Sequence, residues 1–202
     1  GPSGRHHFLP ESYLMHWADP ATTAPNRTPE VWRISKDGSS ARHYPPASRA
    51  FWELDGNNLE RLDGSLDDRI ESLLGRIEGI VAEATRGPIS RHEVVSRDQF
   101  DAVNMFFSAM VFRVPAMRAA LRSSFEARAR IERETLLFHD RPVPADNVLI
   151  GRNGPVYATL ESLFAVLPEL DEMTHTLLIA PDGEHFITSD RPAMLHADFG
   201  PA

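Results

Sequence analysis

Residues Phe100 to Val114 read FDAVNMFFSAMVFRV: eleven apolar side chains in fifteen, with neither glycine nor proline to interrupt them. That composition predicts a helix. At 100° per residue the apolar positions surround the axis instead of forming one stripe, which predicts a helix buried on nearly all sides. Arg113 falls near its end, on the sector of Phe106, Ala109 and Met110. A guanidinium buried there without a partner costs several kcal/mol, so it must meet a carboxylate, carbonyls or a bound anion. The segment therefore predicts both the centre of the fold and a polar pocket at one end of it.

Composition narrows the functional classes. A chain of 202 residues suffices for one substantial core, and 42% apolar with 25% charged residues is ordinary for a globular protein. A net charge of −8 argues against a bare electrostatic nucleic-acid binder. It leaves room for a metal-dependent nuclease, whose metal ions offset acidic ligands. The chain has no cysteine, which rules out disulfides, zinc–thiolate sites and thiol nucleophiles and fits a cytoplasmic protein. No apolar run is long enough to span a membrane, and no signal-peptide core is present. Gly1 to Gly4 reads as a remnant of tag cleavage, and residues 5–202 as a single domain.

Outward from the centre, Arg97 starts the central helix and Val114-Pro115 breaks it. Ala116 to about Phe138 continues as an amphipathic helix rich in arginine and glutamate, and Tyr157 to Leu167 reads as another helix. Upstream, Ser65 with Asp68 resembles a capping box opening a helix that runs to Arg86-Gly87-Pro88. Pro10 suits the first turn of a helix reaching toward Asp19-Pro20. Val31 to Ile34 and Ala41 to Tyr44 form a hairpin around Lys36-Asp37-Gly38, and Phe51 to Leu54 is a short apolar segment of undecided type. A second hairpin is predicted from Thr176–Ala180 and His185–Ser189 around Pro181-Asp182-Gly183. The fold class expected is α+β, mainly α-helical, with a central buried helix and small peripheral β-hairpins.

Four separated pieces carry a resemblance: HHFLPESYL (His6–Leu14), IESLLGRIEG (Ile70–Gly79), FRVPAMR (Phe112–Arg118) and FITSDRP (Phe186–Pro192). In this order the chain resembles a bacterial family known as domain of unknown function 4238. That family shows HHxVPQxYLxxF, paired glutamates on a helix, R-T-P and F-x-T-S-D-N-P. Here Glu11 stands where glutamine is usual, Val114 where threonine is, and Arg191 where asparagine is. The chain is also short after its Ser-Asp-x-Pro motif, which suggests truncation at the C-terminus. The resemblance implies an arrangement of polar residues and no established activity.

The candidate site residues are His7, Glu71, Glu78, Arg113 and Asp190. Neutral imidazole serves as metal ligand or general base, and adjacent histidines point apart, so one of His6 and His7, preferentially His7, joins a site. On a helix Asp67, Glu71 and Glu78 fall within about 40° of one another. Carboxylates with an imidazole make an oxygen-rich site for Mg or Mn. The same carboxylates could instead pair with Arg113, the other open reading. Asp190 ends the last strand, where a side chain can reach a cleft or simply stabilise a turn. Phosphate-loop, dinucleotide-binding, zinc-helix and nucleophile-elbow motifs are absent from the sequence.

Two functions follow. The first is a metal-dependent, nuclease-like hydrolase acting on a phosphate-containing substrate, nucleic acid or nucleotide. His7, Glu71, Glu78 and Asp190 supply metal ligands or the base, and Arg113 steadies the anion. Arg118, Arg122, Arg128 and Arg130 are basic side chains that could hold a polyanion. The alternative is a non-catalytic ligand-sensing or protein-interaction module whose polar cluster is a structural staple.

Overall fold

The computed structural model describes residues 4–173 and 188–189. Its elements run β1 (Arg5–His7), α1 (Glu11–Met15), β2 (Val31–Ile34), β3 (Ala41–Tyr44), β4 (Trp52–Leu54), β5 (Leu59–Glu60), β6 (Leu66–Asp67), α2 (Arg69–Ala84), α3 (Arg97–Arg113), α4 (Pro115–Phe138), α5 (Ile150–Ala165) and α6 (Leu167–Glu172). Single 3-10 turns lie at Pro20–Thr22, Arg49–Phe51 and Ala145–Leu149. The protein is mainly helical, with small antiparallel strand pairs at its edge.

Helix α3 is the centre, as its composition predicts. Helices α2, α4, α5 and α6 all pack on it. It buries Ala102, Phe106, Ala109 and Met110, together with the polar Asn104, Ser108 and Arg113. Ser108 stays buried by donating to the carbonyl of Ser162 on α5 at 2.8 Å. The capping box sits at the start of this helix and not at Ser65. Ser96 Oγ accepts from the Gln99 amide, and Gln99 Oε1 accepts from the Ser96 amide at 3.0 Å. Val114 turns extended ahead of Pro115, so α3 ends and α4 begins with proline at its first position.

Helix α2 begins at Arg69, four residues later than expected from Ser65. The intervening Leu66 and Asp67 pair with Glu60 and Leu59 in a tight hairpin, turned at Gly64 with φ +78°. Strand pairing there satisfies backbone groups that an earlier helix start would have claimed. Asp67 is thus buried off the helix and holds the Arg69 amide and guanidinium. Those hydrogen bonds hold its carboxyl well below the usual carboxylate range. The stripe Ile70, Leu74, Ile77 and Ala84 faces the core.

Further differences are local. Helix α1 is only one turn beyond Pro10. The segment of undecided type becomes β4, pairing with the unforeseen β1 in the register His6 opposite Glu53 and His7 opposite Trp52. The predicted β2–β3 hairpin is present, with Val31 opposite Tyr44 and Ile34 opposite Ala41. The expected C-terminal hairpin lies outside the described residues except for Thr188 and Ser189, and Asp190 lies outside them as well.

Helix α5 starts at Ile150, seven residues ahead of the predicted Tyr157, and runs through Gly151, Gly154 and Pro155. Weak local propensity is overridden by close packing on α4. A Cβ placed on Gly154 would lie 2.6 Å from Cδ1 of Phe125 and nearer still to its Cγ and Cδ2. Gly154→Ala is therefore expected to destabilise the fold by about 1–3 kcal/mol through overpacking. A lower urea midpoint would register it, and an unchanged midpoint would show that the α4–α5 contact yields freely.

Candidate functional site

Strand alternation sends the two adjacent histidines to opposite faces. His6 is 2% exposed, and its Nδ1 accepts the backbone N–H of Asn57 at 2.9 Å. It lies 3.9 Å from Oε2 of Glu71. His7 turns the other way, its Nε2 3.3 Å from Oε1 of Glu11. What His7 gives to the interior is its carbonyl, which accepts from Nη2 of Arg113. The ring that joins the buried network is that of His6, which the sequence reading ranked below His7.

Arg113, at the end of α3, is 1% exposed. Its Nη1 meets Oε1 of Glu78 on α2 at 2.5 Å, and its Nε has no acceptor among the described residues. The buried charge has drawn in a carboxylate and a carbonyl from distant segments, as its placement demanded. Glu78 is thereby committed to Arg113. Two helical turns earlier, Glu71 accepts from Nδ2 of Asn57 at 2.5 Å.

Arg118, one turn into α4, is a second buried arginine at 7% exposure. It donates to the carbonyl of Gly56 at 2.5 Å and to Oδ1 of Asn57. Its nearest carboxylate is Glu53 at 3.7 Å. Burial, reinforced by the like charge of Arg113, pushes its guanidinium down to about 10, so it is still cationic at neutral pH. A Cβ on Gly56 would run into this guanidinium, so any larger residue there must displace the Arg118 head from its partners. Asn57 is the hub: its amide holds His6, its Oδ1 holds Arg118 and its Nδ2 holds Glu71. Residues 55–58, Asp-Gly-Asn-Asn, carry the sequence signature of a turn, and nothing in that signature announces a hub.

The arrangement carries a pH dependence of definite sign. Burial lowers His6, against the opposing pull of Glu71 and Asp55, and burial lowers His7 against Glu11 and Glu78. Both rings therefore bind protons more weakly in the folded state than in the unfolded chain, where the value is about 6.5. Stability is fully present above that pH and falls as the pH drops through it toward the folded values. Melting temperature is expected to decline between pH 7 and 5. In His6→Gln the decline should be shallower, by up to about 1.4 kcal/mol per pH unit for one proton. An equal slope in the variant would show that His6 does not carry the effect.

The predicted residues thus partly converge. Arg113 and Glu78 meet directly, with His7 through its main chain; Glu71 belongs to the adjoining Asn57–His6 cluster; Asp190 lies outside the described residues. Among the described residues no three histidine, aspartate or glutamate side chains gather as a metal ion would require.

A match to a family model spans residues 5–202, and the family is described as Protein of unknown function (DUF4238). The chain belongs to this family. No curated protein and no solved structure matches it. Among the described residues of this DUF4238 protein, no helix is long and apolar enough to cross a membrane.

Beside the network this DUF4238 protein has a cleft of about 810 Å³ between α4, α5 and the turn after β4. Four arginines of α4 line it, Arg118, Arg122, Arg130 and Arg133, with Arg152 from α5. Arg128 does not line it. Arg152 is neutralised by Glu60 at 2.5 Å. Arg122, Arg130 and Arg133 have no ion-pair partner among the described residues. The sequence marks Arg118, Arg122 and Arg130, but that they share one cleft, with Glu126 set between Arg122 and Arg130 and with Glu53 and Asp55 also lining it, shows only once α5 packs alongside.

Proposed function

We propose that this DUF4238 protein is a ligand-sensing module: the Arg113–Arg118 network is a fold staple, and an anionic ligand is received in the cleft against α4. The observation that carries the reading is that the two features are separate. The carboxylates that a metal would need are held by Arg113 and Asn57. None of His7, Glu71, Glu78 and Arg113 lines the cleft, whereas five arginines do against three carboxylates (Glu53, Asp55 and Glu126), an excess of positive charge in a chain whose net charge is −8. Arginine presents a planar fork suited to phosphate and carboxylate. Thermal melts at constant ionic strength test this. Inorganic phosphate should raise the melting temperature, because it binds only the folded state, and should raise it less in Arg122→Ala. Equal shifts in both proteins, or none, would contradict the reading.

A metal-dependent, nuclease-like hydrolase using Mg or Mn on a phosphate-containing substrate is the second reading. It draws on one contact: Tyr13 Oη lies 2.6 Å from Thr188 Oγ1, which brings the chain two residues before Asp190 against α1. Activity on a phosphodiester that needs Mg or Mn and is lost in Glu71→Ala would favour it over the module.

A further inference from the structure

Arg128, which the sequence marks as basic, takes no part in the cleft, because it lies toward the outer side of α4. At 100° per residue Ala120, Ser124, Ala127, Ile131 and Phe138 fall within about 70° of the direction opposite Arg118 and Phe125, which face the fold. Their spacing is that of a seam between paired helices. The seam is unfilled: Ile131 is 61% and Phe138 83% exposed. Every residue from Arg130 to Phe138 except Leu136 is exposed. Ser124, Ala127, Arg128, Ile131 and Glu132 line a shallow hollow on this face. Large apolar side chains left open beside a hollow mark an interaction surface.

The charges at the edges of the face specify what covers it. Arg128 and Glu132 flank it on one side, Arg130 and Glu134 on the other. None of the four has an ion-pair partner among the described residues. Two copies of α4 laid antiparallel and crossing at Ile131 bring Phe138 level with Ser124, and Thr135 level with Ala127. The bulky half of each seam then meets the small half of the other. Arg128 comes within two residues' rise, about 3 Å along the axis, of Glu132 on the other copy. Arg130 stands in the same relation to Glu134, and the two-fold axis forms every such contact twice. Pairing with an unrelated helix requires no such reciprocity within one chain. We infer that the outer face of α4 receives a second copy of this chain, antiparallel about Ile131. The overlap from Ser124 to Phe138 is about 21 Å long, so the pair is of the small, readily dissociating kind.

Sedimentation equilibrium of the full chain between about 1 and 100 µM tests this. The parent should pass from monomer to dimer across that range, and Ile131→Asp should stay monomeric throughout. Arg128→Glu and Glu132→Arg should each weaken association roughly tenfold, because like charges then face one another. Both positions are exposed and neither side chain pairs within the fold, so circular dichroism should show unchanged helix content. An equimolar mixture of the two variants should dimerise about as well as the parent. Arg128→Glu carries two acidic side chains on that edge and Glu132→Arg two basic ones, so only the mixed pair is complementary. Recovery on mixing therefore separates pairing between copies from any effect on the helix itself. A parent that is monomeric at about 100 µM overturns the inference. So does a dimer indifferent to all three substitutions, or a loss that mixing does not restore.

Discussion

Arg113→Ala is expected to destabilise this protein by about 3–5 kcal/mol, the largest single effect at any polar position of the fold. The guanidinium is enclosed and joins three segments: the end of its own helix α3, Glu78 within α2 and the carbonyl of His7 at the end of β1. Its removal leaves a largely buried carboxylate and a carbonyl without partners, and opens a cavity beside Met110 and Ala109. At about 2–4 °C per kcal/mol for a chain of this size, the melting temperature should fall by roughly 6–20 °C. Substituting both partners, as Arg113→Met with Glu78→Leu, should recover part of the loss, because no uncompensated charge then stays inside. A single variant within about 1 kcal/mol of the parent would mean that the ion pair contributes no more than an exposed one.

The second large effect is expected at Asn57. Asn57→Ala removes the acceptor for Arg118 and the donor to Glu71 at once, while the main-chain bond to His6 survives. Arg118 would keep the Gly56 carbonyl and a distant Glu53, which is poor compensation for an enclosed charge. A cost of about 2–4 kcal/mol follows. Asn57→Asp should fall between the two, since its carboxylate still accepts from Arg118 but confronts Glu71. Urea melts order the three proteins. If alanine proves no worse than aspartate, Asn57 is not the hub of the network.

The sequence showed most clearly what depends on local period and on burial of charge. The length and end of α3 follow from an uninterrupted apolar run stopped by Val114-Pro115, and the need of Arg113 for a carboxylate follows from its apolar sector. The start of α2 was not legible, because Ser65 and Asp68 form a plausible cap until Leu66 and Asp67 pair with β5. The start of α5 was hidden behind Pro155 and behind two glycines, Gly151 and Gly154, that let the helix approach Glu126 and Phe125 of α4. Asn57 and Asn58 look like turn residues, and only long-range packing makes one a hub and buries the other. The choice between His6 and His7 depended on strand β1, which is too short to announce itself and forms only because β4 accepts it.

The most direct test of the staple against a metal centre is the melting temperature of Glu71→Ala, measured with and without millimolar Mn. If Glu71 holds Asn57 in place, the variant melts several degrees below the parent and Mn moves neither protein. If Glu71 is a metal ligand, the variant melts at or above the parent, and Mn stabilises the parent alone.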